Sequence, residues 1–131
     1  MKVTLIKDSA MTYYKNLEAW KKSMLLVKSI YALTRIFPKE EQYGLSSQAK
    51  RAAVSIPSNI AEGCGRQYKR DTRQFLHIAR GSLYELETIL NVALMVNILP
   101  CHEFEALVPL VDENHRIING LIKRYERDDI K

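Results

Sequence analysis

Apolar residues along this chain recur at intervals of three and four, with no sustained alternation, so the pattern predicts helices and gives no support to strands. A first helix is expected over about 17–37, where Leu17, Trp20, Met24, Val27, Tyr31 and Thr34 follow a 3-4-3-4-3 spacing and Pro38 supplies the stop. These six residues read as its core seam. A second row, Leu26, Ile30, Leu33 and Phe37, lies roughly 120° around the same cylinder and calls for a second set of partners.

Tyr43-Gly44 marks a turn, after which Ser46 or Ser47 can cap a helix over about 46–62 through Ala49, Ala52, Ala53, Ile56 and Ile60. Its small residues allow close helix approach. Pro57 removes one backbone donor and is expected to bend this helix without ending it, leaving Gly63 and Gly65 as the stop. A third helix is predicted over about 71–98, opened by a capping box of Asp71 and Gln74 and closed before Pro100. Its seam is Leu76, Ala79, Leu83, Leu86, Leu90 and Ala93, and Ile78, Ile89, Val92 and Val96 form another apolar face. The fourth helix spans about 102–127 on Phe104, Leu107, Val111, Asn114, Ile118, Leu121 and Tyr125, with Pro109 kinking it or marking its true start.

Four helices with short connections predict an all-α, antiparallel up-down four-helix bundle over residues 14–131, preceded by a loose or partner-bound arm at 1–13. The second seams carry a further expectation. Leu26, Ile30, Leu33 and Phe37, with Ile89, Val92 and Val96, exceed what one central core needs and point to a homo-oligomer interface. Gly81 and Gly120 fall inside helices, where close packing of another backbone is the expected compensation.

Composition leaves this picture in place: 131 residues, 47% hydrophobic and 27% charged, suit one globular domain. The longest apolar stretch, 89–99, is broken by Asn91 and Asn97 and falls short of the roughly 20 residues of a membrane span. No signal-peptide core precedes Lys7 and Asp8, and Cys64 and Cys101 read as reduced thiols, so a cytoplasmic, membrane-free protein is expected. Charge adds more. Residues 1–80 hold 15 Lys and Arg against 6 Asp and Glu, whereas residues 81–131 hold 5 against 9. Such asymmetry suits a polyanion partner or a pairing of the two halves between copies.

The basic residues are also patterned. Arg66, Arg70, Arg73, His77 and Arg80 step by four, three, four and three, so one face carries four arginines and a histidine, with Lys69 beside it. Guanidinium forks match phosphate geometry, which makes this stripe a candidate nucleic-acid surface that Lys50 and Arg51 can widen; a solvated face is the alternative. Ser55, Asn59, Glu62, Glu85 and Glu87 read as a structural polar cluster in which Arg51 or Arg80 neutralises the carboxylates. A bundle di-iron site needs Glu-x-x-His pairs, and this chain has none. Neither zinc spacing nor a phosphate-loop or nucleophile-elbow motif occurs, so no metal, cofactor or catalytic constellation is expected.

RAAVSIPSNIAEG at 51–63, FLHIARGSLYELETIL at 75–90 and FPKEEQYGLSSQ at 37–48 carry a resemblance. The chain resembles the four-helix bundle proteins encoded in intervening sequences of bacterial 23S ribosomal RNA genes, sometimes labelled ribosomal proteins. That family is similar in turn to the accessory protein of diversity-generating retroelements, a basic homopentameric barrel that binds nucleic acid and a reverse transcriptase. The resemblance implies a small helical oligomer, with a pentamer favoured, that binds RNA or DNA and has no known catalytic activity. A protein-protein scaffold with no nucleic-acid role is the rival reading.

Overall fold

Proline and a left-handed asparagine punctuate the helices. The computed structural model describes residues 14–129, so the expected arm at 1–13 lies outside the described residues. Helix α1 spans Glu18–Thr34 and is followed by a 3-10 turn, Lys39–Glu41, whose N-cap is Pro38. Helices α2, α3 and α4 span Leu45–Cys64, Lys69–Met95 and Cys101–Asp129, and no strand occurs among the described residues. Asn97 takes a φ of 64° and turns the chain so that the N–H groups of Ile98 and Leu99 donate back to Ala93 O. Pro100 then opens α4, its carbonyl accepting from Glu103 and Phe104.

Two helix starts differ from expectation. The cap of α2 is Gly44, and Glu41 Oε1 accepts from Leu45 N at 3.1 Å, so a carboxylate from the preceding turn does what Ser46 or Ser47 was expected to do. Helix α3 begins at Lys69 after Tyr68, leaving Asp71 in the first turn and no side-chain cap. Pro57 and Pro109 both lie inside continuous helices. Proline leaves the carbonyl four residues earlier, Ala53 O, without its N–H donor. The neighbouring carbonyls gain side-chain donors: Ser58 Oγ to Val54 O and Asn59 Nδ2 to Ser55 O, both at 2.8 Å.

Each helix packs on two others: α1 on α2 and α4, α3 on α2 and α4. Thr72 meets Gly63 and Ser55 meets Ser82, so α2 and α3 run antiparallel; Arg80 with Asn119 and Glu87 with His115 show that α3 and α4 run antiparallel as well. The result is an antiparallel four-helix bundle. No helix among the described residues is long and apolar enough to cross a membrane.

The core follows the expected rows of α2, α3 and α4: Ala49, Ala53, Ile56, Ile60, Leu76, Ala79, Leu83, Leu86, Val111 and Ile118 are all buried. Helix α1 corrects the reading. Its buried residues are Ala19, Ser23, Leu26, Ile30, Leu33 and Thr34, with Phe37 buried just beyond its end. Of the expected seam Thr34 is buried, Leu17, Trp20 and Val27 pack half-buried against the core, and Met24 and Tyr31 are exposed. Leu26, Ile30, Leu33 and Phe37 therefore fill the core of their own chain and are not an oligomer surface; Ile89 is buried as well. Of the seven residues expected at that interface, Val92 is half-buried and Val96 exposed.

The glycines correct a second expectation. A Cβ on Gly81 or Gly120 would meet nothing within 4 Å, so neither marks a close approach within the chain. Gly63 does: a Cβ there would stand 2.9 Å from Phe75 Cβ. Among the polar groups of the core, Asn114 is buried between α1 and α4, its Nδ2 donating to Leu110 O and to Lys22 O across the interface. Its Oδ1 has no hydrogen-bond partner.

Candidate nucleic-acid interface

The turn from α2 to α3 is short and held from beneath. Thr72, buried, donates from Oγ1 to Gly63 O at 2.7 Å, while Arg66 N donates to the same carbonyl. Above this anchor Arg66 lies over the Phe75 ring, with its guanidinium carbon 4.6 Å from the centroid, and Nη2 donates to Glu62 Oε2 at 2.8 Å. The arginine is thus fixed by a ring and a carboxylate, with 43% of its side chain still open to solvent. Tyr68 follows in extended conformation, 61% exposed, and then Lys69 and Arg70, also exposed, and the half-buried Arg73.

The upper half of the stripe is built differently. Arg80 Nη1 donates to Asn119 Oδ1 on α4 at 2.9 Å, and its Nη2 lies 3.0 Å from His77 Nδ1. Because arginine only donates, Nδ1 is the accepting nitrogen of that contact, while Nε2 lies 4.0 Å from Glu126 Oε2. Arg80 and His77 therefore tie α3 to α4, and the open cationic surface is the end of the bundle between Arg66 and Arg73.

Lys50 and Arg51 do not widen it. Lys50 Nζ sits 5.2 Å from the Tyr31 ring on the α1 side. From the Gly63–Thr72 and Ser55–Ser82 contacts, Arg51 stands roughly 20 Å along the bundle from Arg73 at 1.5 Å per residue. A cation absent from the sequence reading is Arg124. It acts on the Cys64 thiol at the end of α2, lowering a pKa that burial raises, and lines a cavity of about 320 Å³ with Leu17 and Gly120. No local pattern could have linked it to a turn some sixty residues away.

The expected polar cluster divides into four parts. Ser55 and Ser82 share a 2.8 Å hydrogen bond between α2 and α3, joined by Asn59 Nδ2 at 3.0 Å from Ser55 Oγ. Glu62 serves Arg66, and Glu87 pairs with His115 Nε2 at 2.9 Å beside Tyr84, so neither is neutralised by Arg51 or Arg80. Glu85 is exposed. Ser55 and the buried Ser82 meet where α2 packs on α3, while the longer Glu62 and Glu87 reach Arg66 and His115. Among the described residues no group of three or more His, Cys, Asp or Glu could hold a metal ion. Cys64 and Cys101 are free thiols at opposite ends of the bundle.

No curated protein matches the sequence. A crystal structure of a protein of unknown function from the S23 ribosomal protein family of Bacteroides thetaiotaomicron is similar at a TM-score of 0.74 and 23% identity, covering 80% of this chain and 98% of that one. At that identity the likeness establishes the fold. The model of the 23S rRNA-intervening sequence protein family matches residues 15–120, which takes in α1, α2, α3 and most of α4. The chain belongs to the 23S rRNA-intervening sequence protein family.

Proposed function

We propose that this chain is a non-enzymatic, self-associating, cytoplasmic bundle protein that binds RNA or DNA through backbone phosphates, with low sequence specificity. One observation carries the reading: four cations against two carboxylates between Glu62 and Arg73, concentrated at one exposed end of the bundle. No core role accounts for the exposed members, and a row of guanidinium and ammonium groups suits phosphates without reading bases.

Self-association is supported by the outer face of α3. Ile78, Tyr84 and Met95 are exposed there, with Val96 exposed at its C-cap, and Gly81 presents bare backbone between Ile78 and Tyr84. A face of this kind suits a second copy of the chain, and the family resemblance favours a pentamer. The same face favours the second reading, a protein-protein scaffold without nucleic acid.

Fluorescence anisotropy with a labelled RNA hairpin and a labelled DNA duplex, from about 50 to 200 mM salt, separates the two. Binding that weakens linearly on log-log axes, with a slope about one unit shallower for Arg70→Gln, supports phosphate recognition. Absence of binding by the unaltered protein at the lowest salt favours the scaffold. Light scattering at micromolar concentration tests assembly; a monodisperse monomer refutes it.

A further inference from the structure

We infer that Tyr68 and Arg66 form a stacking platform for the bases of an unpaired nucleic-acid strand, so the α2–α3 end takes single strands in preference to duplex. This rests on the phosphate-binding reading above. It goes further by assigning the open aromatic and the fixed guanidinium a role that phosphate contacts alone leave unused.

Tyr68 stands at the N-cap of α3 with φ −105° and ψ 138°, and the residue is 61% exposed, followed by the exposed Lys69 and Arg70. A tyrosine that covers no core gains little from packing in its own chain, yet it offers a rigid flat face at low entropic cost. Arg66, two residues earlier, is held over Phe75 and against Glu62, so its guanidinium is already ordered before any ligand arrives. Unpaired bases stack on aromatic rings and on arginine planes. Glu62 offsets the charge of Arg66, so Arg66 contributes surface more than attraction; the exposed Arg70 supplies attraction to the adjoining phosphates.

Duplex gains nothing from this arrangement. Its base faces are already covered by their neighbours, and a tyrosine at a turn can reach them only by unstacking a step. A single strand leaves those faces open, and every base has one, which agrees with low sequence specificity.

The test uses the full-length protein with labelled oligo(U), oligo(dT) and a duplex of matched length. Tyr68→Ala is expected to weaken both single strands by about 5- to 100-fold, to leave duplex affinity within about two-fold and to leave the salt slope unaltered, since stacking releases no counterions. Tyr68→Phe is expected to retain single-strand affinity because the ring and not the hydroxyl makes the contact. Circular dichroism establishes that both variants fold. Equal losses on single strands and duplex, no loss on either, or a Tyr68→Phe as weak as Tyr68→Ala overturns the platform. Salt-dependent binding that ignores Tyr68 leaves the phosphate reading standing without the platform, whereas an unaltered protein that binds none of the three ends both.

Discussion

Thr72 Oγ1 donates to Gly63 O across nine residues of sequence at 2.7 Å, fastening the first turn of α3 to the last turn of α2. The contact exists because Gly63 has no side chain. A methyl there would stand 2.9 Å from Phe75 Cβ and 3.2 Å from Thr72 O, and neither backbone nor Cβ can swing aside. Gly63→Ala should therefore lose about 1–3 kcal/mol by overpacking, read from urea unfolding. Gly81→Ala, with nothing within 4 Å of the new methyl, should instead gain up to about 1 kcal/mol from helix propensity. Similar effects at the two positions would contradict this account.

Arg70 and Arg80 are expected to separate in their effects although both lie on one face of α3. Arg80 is half-buried and bonded to Asn119, so Arg80→Ala should cost about 0.5–1.5 kcal/mol and lower the melting temperature. Arg70 is exposed, and Arg70→Ala should stay within about 0.5 kcal/mol of the parent. Thermal melts of the two variants decide it; a larger loss at Arg70 would reverse the assignment.

Thiol chemistry gives a pH-dependent prediction. Burial pushes the Cys64 thiol up, and Glu105, 3.6 Å from Cys101 Sγ, pushes the Cys101 thiol up by its charge and hydrogen bond. Only thiolate reacts, so both cysteines should alkylate more slowly than a free thiol near neutral pH and accelerate as pH rises. Glu105→Gln removes the charge, lowers the Cys101 pKa and should quicken its alkylation without changing Cys64. Mass spectrometry of iodoacetamide time courses resolves the two sites. An unchanged Cys101 rate in that variant would show that Glu105 does not control it.

Asn97 sits at a φ of 64°, where a Cβ-bearing residue other than asparagine or aspartate is strained. Asn97→Gly should be neutral or stabilising by a few tenths of a kcal/mol, whereas Asn97→Val should cost about 1 kcal/mol or more. Differential scanning calorimetry of the pair measures it, and equal melting temperatures would argue against the left-handed turn.

Helix number, class and approximate bounds were legible because Pro38, Pro100 and the paired glycines punctuate a clear period. The core row of α1 was not. Two apolar rows about 120° apart look alike to a periodicity argument, and the buried row begins with Ala19 and Ser23, small residues that carry little hydrophobic signal. The basic stripe was legible as spacing along one helix. Its division into a solvent-facing end and an Arg80 tied to Asn119 depends on a neighbour 39 residues away, which spacing within α3 cannot reveal. The same holds for Gly63: its demand arises from Phe75 on the next helix and not from its own turn.

Asn114 has a bearing on uniqueness more than on strength. Its amide reaches Lys22 O at one setting of α4 against α1, and its orphaned oxygen makes the pairing costlier than an apolar contact. Sliding α4 by one turn, about 5.4 Å, would break the bond to Lys22 O and leave the amide only its bond to Leu110 O within α4. The asparagine thus acts as an indexing pin, trading some stability for a single register along the seam that closes the bundle.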